Sequence, residues 1–198
     1  MPGPTGADQL FTHIRVVLSI ILGLSITTLL KGIASIIEHP HRHRWSWIHM
    51  GWVAWALMSV VTFWWWEYRL SGITAWSFES YLFVIAYASL YFLLAALLFP
   101  DDMGDYGGYE GYWIARRRWF FGLIALITLM DVVDTSLKGA GRWVALGPAY
   151  DVRIGVMLLI CAVGAAVSRR WAQIGLVLAA LVYQTVYFAV EYSTVTAG

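Results

Sequence analysis

Charge is scarce in this chain: charged residues make up 13% of its 198 positions and apolar ones 60%, where an ordinary soluble domain carries roughly 25% charged residues. Mean hydropathy is +0.68, so water is not the main solvent of this polypeptide. The net charge of +1 and the lack of a long basic tract exclude a nucleic-acid partner. Cysteine is nearly missing. The single Cys161 leaves no disulfide framework and no cysteine-based metal site, and its position within an apolar stretch makes it a core residue.

Catalytic signatures are lacking as well. There is no Gly-x-Ser-x-Gly elbow, His-Glu-x-x-His pair, Walker loop or Gly-x-Gly-x-x-Gly turn, the motifs that would mark a hydrolase, a metalloprotease or a nucleotide site. His13 and His49 lie near the ends of apolar stretches, so the mid-membrane histidine pair of a b-type haem is missing. Lys31 and Lys138, the only lysines, also stand at such ends, which argues against a retinal Schiff base. Neither an enzyme nor a cofactor is expected.

What the chain does have is apolar length. A bilayer core about 30 Å thick needs roughly 20 apolar residues of helix, and six stretches qualify: Ile14 to Ile37, Trp47 to Trp66, Phe78 to Phe99, Trp119 to Leu137, Val152 to Val167 and Trp171 to Val190. The expected fold is an all-α, polytopic transmembrane bundle of six spans. The polar lead from Met1 to Thr12 is followed by a run too long for a signal-peptide h-region, so the first span is expected to be retained. The loops are too short for a separate soluble domain, and residues 1–198 read as one transmembrane domain.

Lys31, Arg42, Arg44, Arg116, Arg117, Arg118, Arg169 and Arg170 flank the first, third and fifth loops, against Arg15, Arg69, Lys138, Arg142 and Arg153 on the other side. The excess places those three loops in the cytoplasm and both termini outside, in what is expected to be a bacterial inner membrane. Tryptophans mark the span ends, with Trp45 and Trp47 opening the second, Trp64, Trp65 and Trp66 closing it, and Trp119 and Trp171 opening the fourth and sixth. Indoles favour the headgroup level, so most are expected to form a belt.

Two short matches suggest duplication. Thr28-Leu29-Leu30-Lys31-Gly32 resembles Thr135-Ser136-Leu137-Lys138-Gly139, and Tyr87-Ala88-Ser89-Leu90-Tyr91-Phe92 lines up with Tyr183-Gln184-Thr185-Val186-Tyr187-Phe188. A weaker match sets Met50-Gly51 against Ile154-Gly155. Residues 13–100 and 118–195 would then be two three-helix repeats, which an odd span count turns into inverted copies with a site at their interface.

The fourth span carries the strongest chemical signal. Asp131 and Asp134 lie within an apolar run, where a carboxylate costs several kcal/mol unless it meets protein, water or a counter-charge. Helical spacing puts Thr128, Asp131, Thr135 and Lys138 on one stripe with Asp134 beside it. Two readings follow. The aspartates either share a proton or hold a cation, or they form buried ion pairs with Lys138, Arg15 or Arg153 that fix helix packing. Gln184, Tyr187 and Glu191 on the sixth span, with Tyr87 and Tyr91 on the third, extend a polar seam that interhelical hydrogen bonding alone would also explain.

The first loop alternates His39, His41 and His43 with Arg42 and Arg44. Alternate imidazoles on an extended segment can hold zinc or copper, or titrate near neutral pH, although the arginines oppose a cation there. The third loop is acidic and rich in Gly and Tyr, but its spacing departs from a calcium loop. Tyr109, Tyr112 and Trp113 are expected along the interface as a short surface helix. The functional expectation is a small channel or transporter for protons or a small cation, with Asp131 and Asp134 as the working pair and Gly155, Gly164, Ala165 and Gly175 allowing close packing or a homo-oligomer. The alternative is a non-catalytic accessory subunit of a larger membrane complex.

Overall fold

A computed structural model describes residues 6–39, 46–67, 77–100, 102 and 106–193, with the side chains of 6–11, 140 and 191–193 excluded. The described residues contain no strand and seven helices: α1 Gly6–Glu38, α2 Trp47–Glu67, α3 Phe78–Leu98, α4 Tyr109–Leu137, α5 Ala140–Leu146, α6 Pro148–Ala166 and α7 Arg170–Ser193. All but α5 are long and apolar enough to cross a bilayer, as the six apolar stretches predict. The chain is an integral membrane protein by this architecture.

Local chemistry sets several ends. Ser77 caps α3 from extended backbone, its hydroxyl accepting from the Ser80 amide, and Pro148 opens α6, where its missing N–H costs nothing. Gly147, with φ of 63°, ends α5 and starts α6 in one residue. A side chain at that φ would be strained, so the sharp reversal depends on glycine.

The spanning helices form a ring in the order α1, α3, α4, α6, α7, α2, and α2 also leans inward on α3 and α4. Contacts fix their directions: Gly32 of α1 meets Phe99 just past α3, His49 at the start of α2 meets Leu98 at the end of α3, and Gln173 early in α7 meets Gly164 late in α6. The first, third and fifth loops therefore share one end of the bundle, here called the basic face. α1 packs chiefly on α3, whereas α4 packs chiefly on α6. A repeated three-helix unit predicts α4 against α7 instead. The difference has a local cause, since α6 supplies Arg153 and Tyr150 to the acids of α4, and α1 carries no equivalent acids.

The core near the basic face is aromatic. Trp52 is fully buried, stacked on Trp113 at 5.8 Å and met edge-on by Phe120 and Phe121, each at 5.2 Å. Trp47, Trp119 and Trp171 are exposed, as a belt requires, but Trp52, Trp55, Trp66 and Trp113 are interior. Tyr109, Tyr112 and Trp113 do not form a surface helix. They are buried in the first turns of α4, which starts ten residues before the predicted span because the Tyr112 hydroxyl reaches the Leu97 carbonyl at 2.7 Å and ties this extension to α3.

Among the four small residues of the predicted stripe, Gly164 makes the close approach: a Cβ there would collide with the Phe121 ring, while Gly155 and Gly175 face open space. Phe121 is itself fully buried among Trp52, Trp113 and Phe120 and has no room to yield. Gly164→Ala is therefore expected to cost about 1–3 kcal/mol by overpacking, whereas Gly175→Ala should be neutral or stabilise by up to about 1 kcal/mol. Thermal unfolding of the two variants in one detergent checks the contrast; equal melting temperatures would refute it.

Candidate functional site

The polar groups of the bundle converge between α2, α3, α4, α6 and α7, toward the end opposite the basic face. Asp131 lies six residues before the end of α4, or about 9 Å along the helix. Its Oδ2 accepts from Arg153 of α6 at 2.7 Å and from the Tyr150 hydroxyl at 3.1 Å, while the Tyr87 hydroxyl stands 3.5 Å from Oδ1. Thr135 shares a 2.8 Å hydrogen bond with Tyr150. The Arg153 guanidinium also lies over the Tyr187 and Phe188 rings, at 5.2 and 5.8 Å, so a flat cation is stacked and paired at once.

Asp134, one turn nearer the end, has a different partner. Lys138 Nζ donates to its Oδ2 at 2.6 Å and to Glu67 Oε1 of α2 at 3.1 Å, with all three side chains at 4% exposure or less. Each carboxylate keeps a second oxygen, Asp134 Oδ1 and Glu67 Oε2, that is buried and without a hydrogen-bond partner among the described residues. Arg142 stacks over Trp66 at 4.4 Å nearby. Trp66, Leu146 and Tyr150, joined by Trp143 and Ile154, form a small apolar cluster distinct from the main core. The seven-residue α5 thus contributes to a cover at the same end as the charges.

A cavity of about 40 Å³ adjoins Asp131 and Arg153, which is room for two or three waters. Tyr87, Thr128, Ser59 and Gln184 supply much of its polar wall. Gln184 Nε2 donates to Ser59 Oγ at 2.9 Å, joining α7 to α2, and Thr128 bonds back to the Ile124 carbonyl at 2.9 Å. Toward the basic face Trp55 ends the cavity, and the Trp52 cluster lies beyond it.

Most of the predicted seam is therefore one constellation: Asp131, Asp134, Lys138, Arg153, Thr128, Thr135, Tyr87, Tyr187 and Gln184 lie in or beside it. The two aspartates, read above as one working pair, each meet a counter-charge of their own, Arg153 for Asp131 and Lys138 for Asp134. Arg15 lines a separate cleft of about 30 Å³ with Leu18, Trp64 and Glu67. Glu191 falls in α7, but its side chain is outside the described residues. His39 is exposed, and His41 and His43 lie outside the described residues. Among the described residues no group of three or more His, Cys, Asp or Glu side chains is placed to hold a metal.

Glu67, Tyr150 and Arg142 are the participants that sequence reasoning missed. Glu67 follows Trp64, Trp65 and Trp66, a pattern of an acid already in the headgroups; its burial comes from tertiary packing. The available signal was its place directly after the second span's end, on the same side of the bilayer as Lys138. His49 is likewise not part of the loop histidines: it is fully buried, its Nε2 is 2.7 Å from the Leu98 carbonyl and its ring stacks on Tyr109 at 4.3 Å.

No family model matches this chain, and no curated protein or solved structure is significantly similar to it.

Removing one member of a buried ion pair leaves the other charge uncompensated, at a cost of about 3–5 kcal/mol. Lys138→Met is expected to lose that much, and adding Glu67→Gln and Asp134→Asn should restore most of it. Thermal unfolding in lipid nanodiscs measures both; a single variant as stable as the parent would show that Lys138 does not neutralise these acids.

Proposed function

We propose that this chain passes protons across a membrane through a gated polar path, with Asp131 as the exchanging group. The observation that carries this reading is a buried, ion-paired carboxylate on the wall of a cavity sized for two or three waters. Protons move by exchange along hydrogen-bonded waters and side chains, so they need no more space than this. A cation bound at either carboxylate would have to displace Arg153 or Lys138 from it, which favours the proton over the cation.

Arg153 orients Asp131 through the 2.7 Å contact. Protonation of that carboxylate removes the Coulomb attraction and leaves the guanidinium to its aromatic neighbours Tyr187 and Phe188. Tyr87 and Tyr150 are hydroxyl donors next to Asp131 and Gln184 with Ser59 continues the polar wall. Trp52, Trp113, Phe120 and Phe121 form a dry layer toward the basic face. A path through the bundle requires that layer to open, which is why a gated carrier or channel fits better than a permanently open pore.

Proteoliposomes holding the purified chain, an internal pH dye and an imposed membrane potential test the reading. The parent is expected to acidify or alkalinise the lumen according to the potential, Asp131→Asn to fall to the level of empty liposomes, and Thr62→Ala, at the cavity's edge, to retain flux. Folding of each variant is checked by its thermal transition. A parent without proton flux under any gradient would overturn the proposal and favour the accessory-subunit alternative, in which the same ion pairs serve helix packing.

A further inference from the structure

On the lipid-facing side of the bundle a groove separates α3 from α4 near the basic face. It is open along its length, offers about 1110 Å³ and is walled by Leu93, Leu97, Leu123 and Leu126, with Gly122 between them. Gly122 meets nothing within 4 Å of where a Cβ would be, so its missing side chain deepens the groove. Arg118, Gly122 and Leu126 fall at i, i+4 and i+8 on α4, which lines up a cation, a gap and an apolar side chain along one face. The order matches the order of a lipid from headgroup to tail.

The rim adds charge. Arg116 and Arg118 line the groove with Asp102, an excess of one positive charge among the described residues. Arg116 is held in place, its Nη2 donating to the Tyr106 hydroxyl at 2.7 Å with the guanidinium over the ring at 5.7 Å. Trp119 is 71% exposed beside them, and exposed indoles mark the headgroup level. From Trp119 to Leu126 the helix descends about 10 Å, enough for the first half of an acyl chain.

We propose that this groove holds an anionic glycerophospholipid, its phosphodiester on Arg116 and Arg118 and one acyl chain against Gly122 and the four leucines. The excess of one positive charge complements a headgroup of one net negative charge. The apolar length beneath it selects a membrane lipid over a soluble phosphate. The groove shares no lining residue with the proton path, which lies on the interior of the bundle between α2, α3, α4, α6 and α7.

Native mass spectrometry of the parent, purified from vesicles of equal phosphatidylglycerol and phosphatidylcholine, tests the proposal. One phosphatidylglycerol should be retained in preference to phosphatidylcholine. A basic residue near an anionic headgroup is worth about a fivefold factor, so Arg116→Gln with Arg118→Gln should reduce the preference about thirtyfold. Gly122→Leu, which improves helix propensity and enters open space, should expel the lipid while both arginines remain and the thermal transition is kept. Equal retention of the two lipids, or retention of phosphatidylglycerol by Gly122→Leu, would overturn the site. Displacement of the lipid by millimolar inorganic phosphate would reduce it to a free-anion site, and conversion of a parent dimer to a monomer by Gly122→Leu would reassign the groove to a second copy of this chain; either result overturns the lipid proposal.

Discussion

An ionised carboxylate inside a bilayer must have a partner that enters the bilayer with it, and Asp131 has Arg153. Much of the architecture follows from satisfying that condition. It makes α4 and α6 neighbours, places Tyr150 and Thr135 where their hydroxyls complete the shell, and leaves a cavity with polar walls where α2 and α7 close the other side. The Lys138 ammonium does the same for Asp134 and Glu67, binding α2 to α4. Replacing such pairs by apolar residues of similar volume is often no less stable, so the ion pairs are not in themselves evidence of stability.

The remaining helix contacts are made by shape. Without a hydrophobic difference between lipid tails and apolar side chains, spans associate through close packing and hydrogen bonds. Gly32 receives Phe99, Gly51 receives Val177 and Gly164 receives Phe121, three places where a missing side chain lets a neighbour approach. The aromatic layer around Trp52 occupies the half of the bundle near the basic face, where the buried polar groups His49 and Gln173 bond to backbone carbonyls, and the buried ion pairs occupy the other half. The interior is therefore divided along its length into an aromatic segment and a charged one, and the proposed proton path rests on that division.

The six spans were legible because hydropathy reports the solvent directly, and the α4 stripe was legible because Thr128, Asp131, Thr135 and Lys138 obey the helical period. Arg153 as a counter-charge could be read from its place near the start of a span. What could not be read was which of several cations each acid would take: Arg15 and Arg153 are equivalent by span position, and only the order of helices around the ring puts one beside Glu67 and the other on Asp131. The short segment 140–146 carries too few residues to register as an element, so its helix and the shelter it helps give Glu67 were invisible. The aromatic composition misled in one respect, since Trp52 and Trp113 obey the same preferences as belt tryptophans until partners bury them.

The pairing of α4 with α6 also bears on how the chain is made. A span with two aspartates in its trailing part is a poor candidate to enter the bilayer alone, since an acid costs about 3 kcal/mol at the centre of a span on an insertion scale and less toward its end. Lys138 travels on the same helix, four residues from Asp134, and can accompany that acid from the start. Asp131 has to wait for Arg153, which leaves the ribosome 22 residues later with α5 and the Gly147 reversal between them. Helices α4 and α6 should therefore leave the translocon together as a hairpin, with the fourth span held at the lateral gate until its arginine arrives.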